Sequence, residues 1–188
     1  MDNVLFINAC VREESRTLKL AKCILDKTNG IKKEVNLYLE DFKPLDNETI
    51  KIRDHALLSN EFSDHYFSHA KDFKNADVII IAAPYWDLSF PAVLKVYLEN
   101  ICVNGLTFKY LVDGSVLGLC RARKLIYVAT SGGYIPDNNY AFNYIDTLSK
   151  EFYGINDTEF VKLEALDIYP DQVDKKIEEK IKMLNRRY

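Results

Sequence analysis

This 188-residue chain predicts a three-layer α/β protein built on a five-stranded parallel sheet, and three observations carry that prediction. Residues 4–7, 78–83 and 125–130 are short, continuously apolar runs, the pattern of strands covered on both faces. Two further segments alternate instead, one on Val35, Leu37 and Leu39 and one on Val161, Leu163 and Ala165, as half-buried edge strands do. Between and after these strands, apolar residues recur at three- and four-residue steps, the spacing that puts them on one face of a helix.

Taken in order, the first strand (4–7) leads through a polar loop into a helix marked by Leu18, Ala21 and Leu25. The alternating second strand precedes a helix on Phe62, Tyr66, Ala70 and Phe73. The third strand (78–83) is followed by Leu94, Leu98 and Ile101, the fourth (125–130) by Ala141, Ile145, Leu148 and Phe152, and the fifth by Val173, Ile177, Ile181 and Leu184. Strict alternation of strand and helix implies right-handed crossovers that cover both faces of a parallel sheet. With the second and fifth strands at the edges, the order is 2-1-3-4-5, whose ligand crevice opens at the C-terminal ends of the first and third strands. Residues 104–112 (NGLTFKYLV) fall out of phase with the preceding helix and read as an extended excursion before the fourth strand.

Composition narrows the partners. No linker-like stretch interrupts residues 1–188, so a single domain is expected. The formal net charge is -3 and acids and bases are interspersed, which offers no basic stripe for nucleic acid. The N-terminus lacks the basic start and long apolar core of an export signal, and no run approaches membrane-spanning length, so a cytoplasmic protein without membrane association is expected. The four cysteines, Cys10, Cys23, Cys102 and Cys120, are widely spaced and read as reduced thiols. His65 and His69 with Glu61 have metal-ligand spacing but lie far from the predicted crevice; they read as a solvated helix face, and no metal is expected. The charged run 175–187 is interrupted by the apolar stripe of the last helix, so it too is a solvated face.

Three loops at the predicted crevice carry the unusual residues. After the first strand, Arg12, Ser15, Arg16 and Thr17 crowd a helix start, where unpaired backbone N–H groups, hydroxyls and guanidinium groups suit a monophosphate. The loop has neither the glycine pattern that wraps a triphosphate nor the one that holds a dinucleotide. After the third strand, Pro84, Tyr85, Trp86, Asp87 and Leu88 place the only tryptophan beside a tyrosine, a rigid aromatic surface for a planar ring. Ser89 is a plausible cap and Pro91 suits the first turn of the helix that follows. After the fourth strand, Thr130, Ser131, Gly132, Gly133 and Tyr134 form a turn whose glycines let backbone N–H groups approach a ligand edge.

With those residues in view, the chain resembles the flavodoxin-like FMN-dependent NAD(P)H:quinone oxidoreductase and azoreductase family. The resemblance runs from Ser15-Arg16-Thr17 through APYWDLSFPAVLKVYLENI (83–101) and GLTFKY (105–110) to the TSGG turn (130–133). It implies that Cys10, Ser15, Arg16 and Thr17 hold an FMN phosphate, that Pro84, Tyr85, Trp86, Asp87 and Leu88 flank the isoalloxazine, and that Ser131, Gly132 and Gly133 meet its pyrimidine edge, with Thr130 also among the cofactor-binding residues. It further implies a ping-pong cycle in which NADH or NADPH reduces FMN and a quinone, azo compound or similar acceptor re-oxidises it. The same resemblance implies a homodimer with Phe108 and Tyr110 near the interface. Cys10 stands where relatives often carry a hydroxyl residue, and Asp87 where many azoreductases carry Asn. Because the cofactor does the bond-making, no acid–base residue is assigned, and Tyr134 is the one side chain noted as a donor to a bound acceptor. Three other readings compete: a flavin-binding electron carrier or sensor without turnover, a phosphatase-like domain using Cys10, and a receiver-type signalling domain, for which Asn8 and Pro84 supply no acidic cluster.

Overall fold

The computed structural model describes residues 1–188. Seven strands and six α-helices follow one another along it: β1 (Asn3–Asn8), α1 (Arg16–Lys27), β2 (Ile31–Asn36), α2 (Asn47–Ser59), α3 (Ser68–Asn75), β3 (Val78–Ala82), α4 (Ala92–Ile101), β4 (Phe108–Tyr110), β5 (Val116–Gly118), β6 (Lys124–Thr130), α5 (Phe142–Leu148), β7 (Thr158–Leu163) and α6 (Val173–Arg187). Five strands form one parallel sheet in the order β2-β1-β3-β6-β7, and β4 pairs with β5 as a separate antiparallel hairpin. Counting only the sheet strands, this is the predicted 2-1-3-4-5 order.

The pleat sorts the apolar runs onto two faces. Leu5, Ile7, Ile79, Ile81, Leu125 and Tyr127 join the larger core beneath α2 to α5. Val4, Phe6, Ile80, Ile126, Val128 and Val161 join the smaller one beneath α1 and α6. Each fully buried apolar side chain of this kind contributes about 1.5–3 kcal/mol by leaving water, which is why the three continuous runs occupy the middle of the sheet. No helix is long and apolar enough to cross a membrane.

Several boundaries differ from the sequence expectation, each for a local reason. Strand β2 ends at Asn36, whose side chain accepts from the Tyr38 N–H (3.1 Å) while its carbonyl accepts from Leu39 N–H (3.0 Å). That turn leaves Leu37 buried and Leu39 exposed, so the alternation seen in the sequence spans a strand end and a turn. Ala165 likewise lies past β7, in a left-handed conformation (φ 59°). The periodic run 62–73 splits into a single tight turn (His65–Phe67) and α3, and His69, expected on a solvated face, packs its ring 4.7 Å from Phe42 and beside Tyr97.

Helix α2 has no counterpart in the sequence reading. Only Ala56 of it is buried. Its start is a reciprocal cap between Asp46 and Thr49, and its hold on the fold is Arg53, which donates to the Tyr66 hydroxyl (2.9 Å) and to the carbonyls of Glu99 and Asn100 (2.9 Å each) and Cys102 (3.3 Å) at the end of α4. The excursion at 104–112 becomes the β4–β5 hairpin, which packs on the segment following α5. A Cβ on Gly118 would lie 2.2 Å from the Gly154 nitrogen, so the two backbones touch only because Gly118 has no side chain.

Candidate functional site

Residues Asn8 and Ala9 turn the chain out of the sheet at the end of β1. The Asn8 side chain accepts from the Cys10 N–H (3.0 Å) and donates to Glu34 (3.0 Å), fixing the direction in which the first loop departs. Ser15 then caps α1, its hydroxyl accepting from the Leu18 N–H at 3.3 Å, so the N–H groups of Arg16 and Thr17 keep no partner within the chain. The Thr17 hydroxyl shares a 2.7 Å buried hydrogen bond with Thr130 at the end of β6. The helix N-terminus is thereby set directly against the central sheet edge.

The loop after β3 is a two-residue hairpin turn. Trp86 and Ser89 exchange both backbone hydrogen bonds (3.0 and 2.7 Å), and Asp87 and Leu88 between them adopt φ of 50° and 66°. Aspartate tolerates left-handed backbone, but for leucine it costs roughly 1–2 kcal/mol, so the turn is held by its ends. Tyr85 N–H donates to the Thr130 carbonyl (3.0 Å), Tyr140 N–H to that of Leu88 (3.2 Å), and the Ser89 hydroxyl to that of Tyr140 (3.2 Å). Ser89 is therefore not the cap of α4: Pro91 stands at the cap position and no side chain bonds the helix start. Asp87 points its exposed carboxylate at no cap either.

In the turn after β6, Ser131 Oγ donates to the Gly133 carbonyl at 2.6 Å, while Gly132 and Gly133 N–H groups have no acceptor in the chain. The three loops enclose a crevice of about 560 Å³. Arg12, Ser15, Arg16 and Thr17 line it from the first loop, Pro84, Tyr85 and Trp86 from the second, and Thr130, Ser131 and Gly132 from the third. Asp87, Leu88 and Gly133 stand outside its lining, as do Cys10 and Tyr134. Tyr134 is exposed, and the neighbouring Tyr169 hydroxyl raises its pKa. Burial raises the Tyr85 hydroxyl pKa, and that hydroxyl has no partner.

The Cys10 thiol points inward, 3.6 Å from the Ala82 carbonyl, and only 6% of the residue is exposed. Cys10 and Arg16 do have the C-x5-R spacing of cysteine phosphatases. Burial, opposed by the Ser15 hydroxyl and the Leu18 N–H, nevertheless pushes the thiol up to about 11, whereas that chemistry needs a thiolate at neutral pH. The phosphatase-like reading loses its nucleophile.

Two lining residues come from a segment that sequence reasoning passed over, Leu166 and Asp167 beyond β7. The Asp167 carboxylate pairs with Arg16 at 3.0 Å across the crevice. No local motif marks either residue; the β6–β7 pairing that carries Leu163 alongside Thr130 brings them in.

Fold and crevice together define a doubly wound α/β protein whose crevice opens at the switch point between β1 and β3, where ligands of this class of fold bind. Known proteins sharpen that class. A family model described as having a flavodoxin-like fold matches residues 2–187. The FMN-dependent NADH:quinone oxidoreductase 2 of Clostridium acetobutylicum is 35% identical over 187 residues, covering 93% of this chain and 92% of the relative. The FMN-dependent NADH:quinone oxidoreductase of Clostridium beijerinckii is 36% identical over 194 residues, covering 96% and 95%. Among solved structures, an azoreductase from Bacillus anthracis superposes with a TM-score of 0.81 at 25% identity, covering 99% of this chain and 100% of its own. The chain belongs to this flavodoxin-like family.

Proposed function

We propose that this chain is an FMN-dependent NAD(P)H oxidoreductase that reduces quinones, azo compounds or similar acceptors, with residues 1–188 acting as one domain. The observation that carries the reading is the convergence, in one crevice of about 560 Å³, of a helix start with free N–H groups and an aromatic turn. A monophosphate and a planar ring need those two surfaces side by side. FMN, when bound, supplies the hydride acceptance and release that no side chain of the crevice can.

The residues fit that group. Ser15, Arg16 and Thr17 would hold the phosphate at the α1 N-terminus, where backbone N–H groups and the helix dipole favour an anion. Pro84, Tyr85 and Trp86 would flank the ring, with Asp87 and Leu88 shaping the turn behind them. Gly132 and Gly133 N–H groups, free of acceptors, would meet the pyrimidine edge, and donors there stabilise negative charge that collects on a reduced ring. Cys10 would support the loop from below. The relatives' names favour NADH over NADPH as the donor.

A homodimer belongs to the same proposal. Phe108, one of the two aromatics assigned to an interface, is buried against Phe152 of its own chain (4.9 Å), so the contact would fall to Tyr110, Leu111, Val112 and Leu117, all exposed on the β4–β5 hairpin. Val112→Asp is expected to convert the dimer to a monomer in light scattering; a wild-type monomer would remove this part.

The test of the main reading is optical. Protein loaded with FMN and desalted should stay yellow, bleach anaerobically on NADH or NADPH and recover with a quinone. Retained colour without bleaching would make the chain a carrier or sensor, and loss of colour on desalting would refute the cofactor assignment.

A further inference from the structure

The crevice carries its own anion at the end where a phosphate would bind. Asp167 reaches Arg16 at 3.0 Å, and both line the crevice. We propose that Asp167 is an intramolecular competitor for the flavin phosphate: by occupying Arg16 it sets the affinity of the crevice and the charge it selects. The inference rests on the FMN reading given above.

The position is built by the backbone. Ala165, Leu166 and Asp167 donate their N–H groups to the carbonyls of Gly133 (2.9 Å), Ser131 (3.2 Å) and Gly132 (3.0 Å), stitching the segment after β7 onto the turn after β6. Ala165 takes a left-handed conformation, φ 59°, to make that register. A Cβ on Gly132 would lie 2.2 Å from Asp167 Oδ2, so glycine at this place is what lets the carboxylate lie over the turn.

The charges then oppose one another. Two arginines, Arg12 and Arg16, and two carboxylates, Glu14 and Asp167, line the crevice, and their formal charges cancel. A dianionic phosphate arriving at the α1 N-terminus must draw Arg16 away from Asp167 or lie beside a carboxylate. Either outcome costs affinity for FMN and nothing for riboflavin, the same ring without the phosphate. The Arg16 and Asp167 side chains are 43% and 72% exposed, so solvent and salt screen the effect.

Titrating FMN and riboflavin into the full chain by quenching of flavin fluorescence, at low and high salt, separates the possibilities. Asp167→Asn keeps the shape and removes the charge. It should tighten FMN by about three- to tenfold at low salt, leave riboflavin unchanged, and lose most of its advantage at high salt. Asp167→Ser should move FMN in the same direction, which guards against an effect peculiar to the amide. Unchanged FMN affinity in both variants would overturn the proposal, as would equal weakening of FMN and riboflavin, which would make Asp167 a contact of the ring. Wild-type protein that binds neither flavin would instead fail the FMN reading itself, and the proposal with it.

Discussion

Removing one hydroxyl from the Thr17–Thr130 pair should cost more than removing both. The two Oγ1 atoms are 2.7 Å apart, with Thr17 0% and Thr130 7% exposed. Thr17→Val keeps the volume and leaves the Thr130 hydroxyl buried without its partner, a loss of about 1–3 kcal/mol. Thr130→Val should cost the same by the same route. Changing both leaves two methyl groups in contact and no orphaned polar atom, so the double variant should lie within about 1 kcal/mol of wild type. The coupling across the cycle is therefore at least about 1 kcal/mol. Urea unfolding measures it: the midpoints should shift with the slope unchanged, and each kcal/mol should lower the thermal midpoint by about 2–4 °C in a chain of this size. Single variants whose losses simply add to that of the double would refute the reasoning.

Four further outcomes follow. Glu159, in β7, is met by Lys124 (2.8 Å), Arg187 (3.0 Å) and the Tyr188 hydroxyl (2.7 Å). Burial works to raise its pKa, but these partners outweigh burial and hold it below its ordinary value of 4.5. Its stabilisation is thus full above that ordinary value and lost as pH falls through the lower native one, so Glu159→Gln should be less stable than wild type at pH 7, and the gap should close in acid; a gap independent of pH would contradict this. Arg53→Ala should destabilise by about 2–3 kcal/mol, with Arg53→Lys recovering only part because an ammonium cannot span four acceptors; full recovery in thermal melts would show that charge alone matters. Gly118→Ala should cost about 1–3 kcal/mol and expose the hairpin to proteolysis, since its Cβ meets backbone at Gly154 and Tyr153; unchanged melting and cleavage would disprove the close approach. Titrated with a chromogenic disulfide reagent at pH 8, Cys23 should react first, while Cys10 and Cys120, pushed up by burial to about 11 and about 12, should stay silent until urea is added; early reaction of Cys10 would count against its burial.

The sheet was legible because its strands announce themselves by burial. Continuous runs such as 78–83 can only be satisfied between two helical layers, and alternation at Val161 and Leu163 can only be satisfied at an edge. The first, second and third loops were legible as crevice walls because each follows a central strand in a topology that places their ends together. Helix α2 was not, since it buries almost nothing and is held by a cap and by Arg53, neither of which leaves a periodic trace. Leu166 and Asp167 were missed for a different reason: they follow an edge strand, and only the register of β6 against β7 carries them to the crevice. The inward turn of Cys10 was equally hidden, because the residue that aims it is Asn8, through a single bond to its backbone.

The buried thiols bear on the company this protein would keep. Quinones are electrophiles as well as oxidants, and a thiolate within reach adds to their ring. A reductase that collects such molecules in a crevice runs the risk of being arylated by its own substrate. Here the cysteine nearest that crevice turns its sulfur toward the Ala82 carbonyl beneath the loop, and at neutral pH its proton stays on. Residue 10 can thus be a cysteine without becoming a target: its sulfur packs among the apolar side chains beneath the first loop, at no cost to the lifetime of the catalyst.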